Sequence, residues 1–138
     1  MDSHIEALLE AAWQAEEAAY APYSRFKVGA AILSQNRIFS GCNVENASYG
    51  LTVCAERHAI ASAITSACLE PGSLDAVLVA VRTNKPTYPC GACRQVINEF
   101  ANQNTTVYLS TQPGHVLKQV PFHTLLPSAF GPGDLSDG

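Results

Sequence analysis

Two short cysteine-containing segments constrain the fold of this chain more than any other feature. Cys54 is followed two residues later by Glu56, and Cys90 and Cys93 are separated by two residues. The Cys-x-x-Cys spacing lets two thiolates bind one metal from a single turn, and Cys54 can supply a third ligand from another element. Three protein ligands leave one tetrahedral position of a zinc ion open, which is typical of a catalytic site. The fold must therefore bring the two segments together.

Glu56 is the predicted acid and base of such a site, because it can exchange protons with a water molecule at the open metal position. Three thiolates make the centre negative, so positive groups must offset that charge. Helix N-termini at the two cysteine segments are predicted to do so, together with Arg57 and, as a second candidate, Arg94. A dithiol redox pair would leave Glu56 without a role. A structural zinc would need a fourth ligand, for which Cys42 is the candidate.

Composition narrows the class of protein. The 138 residues are 47% hydrophobic and only 14% charged, which predicts one domain, 1–138, that buries some apolar surface between subunits. The net charge of −4 and the absence of a basic run argue against a nucleic-acid partner. No stretch is apolar enough to span a membrane, and the polar opening is not a secretory signal. Five cysteines then predict a reducing compartment, the cytoplasm.

Hydrophobic periodicity predicts the element order α-β-β-α-β-α-β, with room for one further strand. The predicted helices are residues 3 to about 20, 54–67 and 90–102, and the predicted strands are 28–33, 37–44, 75–82 and 106–110. The nearly unbroken apolar run in 75–82 is typical of a central strand covered on both faces. This order implies an α/β sheet with helices on both faces. Residues 131–138 are predicted to be a loose tail, and Cys42 and Cys68 to be small buried hydrophobes.

Asn43 and Glu45 form a second candidate site. They are two residues apart, so both side chains point to the same face if the backbone is extended. An amide and a carboxylate on one face suit a pair of vicinal hydroxyls. Two solvated polar residues at the end of a strand are the open alternative.

These segments together resemble cytidine deaminases of the short homotetrameric type. The resemblance covers residues 21–130, and its motifs are Cys54-Ala55-Glu56-Arg57, PCGACRQ at 89–95, FKVGA at 26–30 and GCNVENA at 41–47. His58 departs from the threonine that related sequences often carry, and it touches no assigned role.

The resemblance implies a three-layer α/β/α cytidine deaminase-like fold around a five-stranded mixed sheet. It also implies roles for the matching residues: Cys54, Cys90 and Cys93 bind zinc, supported by Arg57, and Glu56 shuttles protons. Asn43 and Glu45 bind the ribose, Phe26 contacts the nucleoside, and the backbone of Ala55 and Cys90 contacts the pyrimidine. Tyr49 and Phe130 enter the site of a neighbouring subunit.

The activity implied by the resemblance is hydrolytic deamination of cytidine and deoxycytidine to uridine and deoxyuridine with release of ammonia, in pyrimidine salvage. Zinc-activated water would attack, and Glu56 would shuttle the proton. Two alternatives stay open: deamination of another aminopyrimidine nucleoside such as blasticidin S, and a zinc-stabilised module that binds a partner without catalysis. The run Asn43-Val44-Glu45-Asn46 favours an ordinary nucleoside, and an intact Glu56 argues against a non-catalytic module.

Overall fold

The computed structural model describes residues 3–135, and its elements follow the predicted order with one additional strand. The helices and strands are α1 Ser3–Ala18, β1 Val28–Ser34, β2 Arg37–Cys42, α2 Ala55–Ala67, β3 Leu74–Val81, α3 Gly91–Phe100, β4 Ala101–Ser110 and β5 Lys118–Pro121. Short 3-10 turns lie at Tyr49–Leu51, Phe122–Leu125 and Pro132–Asp134. Among residues 3–135, no helix combines the length and the apolar composition that crossing a bilayer requires.

The five strands form one mixed sheet in the order β2-β1-β3-β4-β5. Strands β3 and β4 are parallel, and the other neighbouring pairs are antiparallel. The β1–β2 hairpin turns through Gln35 and Asn36, whose φ angles of 51° and 63° lie in the left-handed region. Two consecutive left-handed residues are typical of the type I′ turn, which matches the twist of the strands that it connects.

Helices cover both faces of the sheet, which confirms the predicted three-layer fold. Helix α1 packs on one face against Ala76, Leu78 and Ala80 of β3. Helices α2 and α3 cover the other face, where Val77 and Val79 alternate with those residues. Successive side chains of a strand point to opposite faces, so β3 is buried on both sides and carries an apolar residue at almost every position.

Close backbone contact fixes the position of α2 on the sheet. A Cβ atom on Gly41 of β2 would lie 2.5 Å from the nitrogen of Ala59 and 2.8 Å from the carbonyl oxygen of Ala55. Any side chain at this position would therefore push α2 away from the sheet. Because Cys54 immediately precedes α2, this glycine also determines where the first cysteine segment lies.

Several boundaries differ from the sequence predictions: α1 ends at Ala18 and not near residue 20, and β4 begins at Ala101 and not at residue 106. The third helix was predicted to reach residue 102, but it ends at Phe100 and β4 begins at Ala101 without a loop. Asn102 donates from Nδ2 to the carbonyls of Gly72 and Leu74, at 3.1 and 3.3 Å. These contacts join distant parts of the chain, so local periodicity could not reveal them. The predicted strand 37–44 ends at Cys42 for a similar reason, since the next residues pair only as isolated bridges.

The prediction of a buried Cys68 is wrong. Cys68 is exposed and caps the end of α2 with a φ of 54°, in the left-handed region that helix C-termini commonly require. Cys42 is partly buried. The loose tail expected at residues 131–138 remains a prediction. Residues 131–135 include a short 3-10 turn, and residues 136–138 lie outside the described part of the chain.

Candidate active site

The N-termini of α2 and α3 bring the three predicted metal ligands together. Cys54 and Cys90 are the N-cap residues of the two helices, and Cys93 lies in the first turn of α3. Their sulfur atoms all lie within 4.8 Å of one another. Sulfur ligands of one tetrahedral zinc ion are about 3.8 Å apart, so small side-chain adjustments are sufficient for binding. Within residues 3–135, this is the one group of His, Cys, Asp or Glu side chains that is compact enough to hold a metal.

The pKa values of these thiols also suit the binding of a cation. A hydrogen bond from Cys93 and the guanidinium of Arg57 lower the pKa of Cys54 to about 5, against the opposing effect of burial. The pKa of Cys93 is raised, because its thiol proton is held by Cys54 and because it is buried. Without a cation, the negative charge on one sulfur therefore keeps the proton on its neighbour. A divalent ion removes that conflict and allows the group to lose its protons.

Arg57 and Arg94 have different roles. Nη2 of Arg57 lies 3.5 Å from the sulfur of Cys54 and donates to the carbonyl of Thr52 at 3.3 Å. Its Nε is buried and has no acceptor among the described residues, so negative charge on the nearby sulfurs offsets its burial. Arg94 instead donates to the carbonyls of Pro89 and Leu125, at 2.7 and 3.0 Å. The expectation that Arg94 contacts the thiolates is therefore wrong.

Glu56 lies beside the thiols and lines a cavity of about 190 Å³. Its side chain is only 5% exposed, and this burial raises the pKa of its carboxyl, with a further contribution from the negative charge of Cys54. A carboxyl with a raised pKa accepts a proton more readily near neutral pH, as a group that accepts and releases a proton requires. Ala55, also predicted as a site residue, is fully buried and lines the same cavity.

Three residues with hydroxyl side chains line this cavity without having been predicted: Thr52, Thr87 and Tyr88. They belong to loops and carry no motif of their own. The position of Tyr88 immediately before Pro89 was the only available signal. His58, which carries no predicted role, lies outside the cavity lining, with Nδ1 3.1 Å from both the nitrogen and the oxygen of Cys42.

Asn43 is almost completely buried and holds the connector that precedes β1. Its Oδ1 accepts a hydrogen bond from the backbone nitrogen of Val28 at 2.9 Å, and its Nδ2 donates to the carbonyl of Phe26 at 2.7 Å. Both Asn43 and Phe26 line the cavity that contains Glu56. An amide has two N–H donors and two acceptor lone pairs, so one of each is still available for a ligand hydroxyl.

Glu45 lines a neighbouring cavity of about 260 Å³, and Thr52 contributes to both cavities. One carboxylate oxygen accepts from the backbone nitrogens of Tyr23 and Ser24, at 2.9 and 3.1 Å, and the hydroxyl of Ser24 donates to the other. The Ser24 hydroxyl is the main reason that the pKa of Glu45 is lowered. The same hydroxyl oxygen also accepts a hydrogen bond from the backbone nitrogen of Phe26 at 3.0 Å. Ser24 therefore positions two predicted site residues, and sequence reasoning missed it.

Exposed aromatic side chains line both cavities, Phe26 the first and Tyr23 and Tyr49 the second. Tyr49 is 75% exposed, and its ring lies edge-on to that of Tyr23, with centroids 6.1 Å apart. Phe26 is 43% exposed. Phe130 is 56% exposed and lines neither cavity of its own chain. Single exposed apolar residues are ordinary, whereas several aromatics around one site indicate a surface that contacts another molecule.

Residues 2–110 match the family described as the cytidine and deoxycytidylate deaminase zinc-binding region. The chain belongs to this family. A cytidine deaminase from Halalkalibacterium halodurans is 46% identical over 133 residues, which cover 94% of this chain and 96% of that protein. A cytidine deaminase from Sporosarcina psychrophila is 44% identical over 133 residues, with 96% and 95% covered.

Solved structures agree with the family assignment. The crystal structure of cytidine deaminase from Burkholderia pseudomallei has 49% sequence identity and a TM-score of 0.84, covering 94% of this chain and all of that one. Cytidine deaminase from Mycobacterium tuberculosis has 37% identity and a TM-score of 0.78. Zinc is thus the cofactor of this deaminase family member, and the three clustered thiols are the group suited to hold it.

Proposed function

We propose that this protein hydrolyses cytidine and deoxycytidine to uridine and deoxyuridine and releases ammonia, a reaction of pyrimidine salvage. One observation carries the proposal: a buried carboxyl, Glu56, lies beside three clustered thiols at the wall of a small cavity. The deaminase relatives, which match nearly the whole chain, support the same reaction.

Cys54, Cys90 and Cys93 would hold the zinc ion. When bound, the metal supplies a Lewis acid that lowers the pKa of a water molecule towards about 7. The protein's contribution is to keep three negative sulfurs from weakening that acid. The guanidinium of Arg57 contacts Cys54, and two helix N-termini direct their partial positive charge at the same group.

Glu56 would move the protons of the reaction. It accepts a proton from the water that attacks C4 of the pyrimidine and passes that proton to ring N3. It then takes the remaining proton from the new C4 hydroxyl and passes it to the exocyclic amino group. The C4–N bond breaks, ammonia leaves, and the C4–O bond becomes the carbonyl of uridine. The same carboxyl acts first as base and then as acid, and its raised pKa suits both roles.

The nucleoside would be held by residues of the two cavities that share Thr52. Phe26 would lie beside the nucleoside, while the free N–H of Ala55 at the start of α2 would meet the pyrimidine, together with the backbone of Cys90. Asn43 and Glu45 would bind the ribose hydroxyls, since the amide keeps one free donor and the carboxylate is already held in a fixed position.

We further propose that 1–138 acts as one deaminase domain in a homotetramer whose sites are completed by Tyr49 and Phe130 of neighbouring subunits. The exposure of these two aromatic rings supports this arrangement, since closed symmetry would let each copy cover the same surface of another. The cytoplasmic location rests on cysteine usage and stays a prediction.

The decisive test is an ultraviolet assay that follows the loss of cytidine absorbance by the purified protein. We expect turnover with cytidine and deoxycytidine, loss of turnover after dialysis against a chelator, and recovery when zinc is added back. Product identification as uridine and measurement of released ammonia would establish the reaction. A zinc-loaded protein that leaves both nucleosides unchanged would refute the proposal, and turnover of blasticidin S alone would redirect it to another aminopyrimidine nucleoside.

A further inference from the structure

Two side chains on one face of helix α3, three residues apart, hold the backbone of Phe130. Nε2 of Gln95 donates to the carbonyl oxygen of Phe130 at 2.8 Å, and Nδ2 of Asn98 donates to the same oxygen at 3.2 Å. Residues three apart on a helix are neighbours on its surface, so the two amides can reach one acceptor. We call Gln95 and Asn98 the amide clasp.

The backbone on either side of Phe130 is also fixed. Earlier in the segment, the carbonyl of Leu125 accepts from Arg94 of the same helix at 3.0 Å, and Leu125 and Leu126 pack against the core. After Phe130, the nitrogen of Gly131 donates to the carboxylate of Asp134 at 2.8 Å. The chain is therefore attached to α3 at two separate carbonyls, while the ring of Phe130 remains 56% exposed.

A large apolar ring on a fixed backbone has a specific physical consequence. An exposed ring gains little free energy of burial within its own chain. Contact of that ring with a second molecule costs less conformational entropy when its backbone is already ordered. Helix α3 also carries the thiols of Cys90 and Cys93 at its other end. One helix thus determines both the position of two metal-binding thiols and the position from which Phe130 projects.

We propose that Gln95 and Asn98 are positioning residues that hold Phe130 where its ring meets the nucleoside bound to the neighbouring subunit. This inference rests on the proposed contact of Phe130 in a neighbouring site and adds the residues that place it. Neither amide belongs to the lining of the two cavities or to the group of three thiols. Their loss should therefore weaken substrate binding through Phe130 and leave the chemical step unchanged.

A double-mutant cycle separates this role from ordinary stabilisation of the chain end. The variants are Phe130→Ala, the double variant Gln95→Ala/Asn98→Ala, and the triple variant, with Glu99→Ala as a matched control on the exposed surface of α3. KM and kcat for cytidine are measured for each zinc-loaded protein, with zinc content and light scattering as controls for folding and assembly.

We expect the double variant to raise KM by about threefold to tenfold, no more than Phe130→Ala does, with kcat unchanged. In the Phe130→Ala background, loss of the amide clasp should add nothing to KM, because its effect passes through that ring. Glu99→Ala should behave as wild type. If the double variant does not assemble, Gln95→Glu retains the shape of the side chain, removes its donor and should raise KM in the same way.

Several outcomes would overturn the inference. If the effects of the clasp and of Phe130→Ala are additive, the amides stabilise the chain independently of the ring. If Phe130→Ala raises KM while neither clasp variant does, the positioning role is wrong and the proposed contact stands. If Phe130→Ala leaves KM unchanged, the proposed contact fails and the positioning role fails with it, although deamination itself is still measured directly in the wild type.

Discussion

The metal side and the proposed sugar side of the candidate site are built in opposite ways. On the metal side, Glu56 is almost completely buried and the three thiols lie at the starts of two helices packed on the sheet. On the sugar side, Glu45 lies in a connector and is held by backbone nitrogens and by Ser24. The ring of Tyr49, which lines the same cavity as Glu45, is exposed.

This difference indicates a division between chemistry and recognition. Proton transfer and metal binding require fixed geometry and exclusion of water, which regular elements in a core can provide. Recognition of a ligand is commonly assigned to connecting segments, because they can vary without disturbing the core. We therefore expect changes on the metal side to lower kcat and changes on the sugar side to raise KM. The predictions that follow test that division, beginning with the largest effect.

Glu56→Gln should abolish almost all turnover while the protein keeps its zinc and its fold. An amide of the same shape cannot carry a proton at neutral pH, and one such group typically contributes about 10²–10⁴-fold. Because Glu56 is proposed to act in several steps, kcat should fall by about 10⁴-fold or more. The measurement is steady-state kinetics with parallel elemental analysis. A variant that retains a tenth of wild-type kcat would mean that another residue moves the proton.

Cys90→Ser should lose zinc and, with it, activity. Zinc-binding proteins of this kind require the thiolate donors, and the remaining two thiols of the group cannot replace the third. Elemental analysis should find about one zinc per chain in freshly purified wild type and clearly less in the variant. Cys68→Ser, at the exposed end of α2, is the matched control and should retain both metal and turnover. Full zinc retention by Cys90→Ser would contradict the ligand assignment.

Glu45→Ala should lower kcat/KM for cytidine by about ten- to a hundredfold, as expected for the loss of hydrogen bonds to a charged group. Zinc content should not change, because Glu45 is not part of the thiol group and lines a cavity to which none of the three cysteines contributes. Free cytosine, which lacks the ribose, should be a very poor substrate for the wild type. Equal rates on cytosine and cytidine would contradict the ribose assignment and would remove the distinction between the two sides of the site.

Phe130→Ala should raise KM by roughly tenfold or more, since stacking of a base on an aromatic ring is worth about 1–3 kcal/mol by alanine substitution. A deletion from residue 125 onward should impair both assembly and activity, because it also removes Leu125 and Leu126 from the core. Light scattering combined with kinetics checks both statements. A fully active monomer would refute the proposal that neighbouring subunits complete the site.

Ser24→Ala should have the smallest effect, a rise in KM of about two- to tenfold. The variant removes the hydroxyl donor to Glu45, but the nitrogens of Tyr23 and residue 24 still hold the carboxylate. In a Glu45→Ala background, most of the effect should disappear, because the main role proposed for Ser24 is to orient that carboxylate. A large fall in kcat instead would place Ser24 in the chemistry and weaken the proposed division.

The sequence by itself determined the metal side almost completely. The spacing of Cys54, Glu56, Cys90 and Cys93 is local, and helix starts and buried strands leave strong patterns in composition and periodicity. For this reason the element order, the helices on both faces of the sheet and the grouping of the thiols were predictable, whereas the five-stranded mixed sheet was implied by the family resemblance. Helix α3 shows the limit of that information, since its end depends on contacts from Asn102 to the carbonyls of distant residues.

Tertiary structure alone decided which polar groups support the site. Arg94 holds the carbonyl of Leu125 and not a thiolate, Ser24 holds Glu45, and Gln95 and Asn98 hold the carbonyl of Phe130. Most of these bonds join residues far apart in the chain, and a single side chain can satisfy any nearby backbone group of suitable geometry. Hydrogen-bonding capacity is visible in a sequence, but the partner is determined only when folding brings distant segments together.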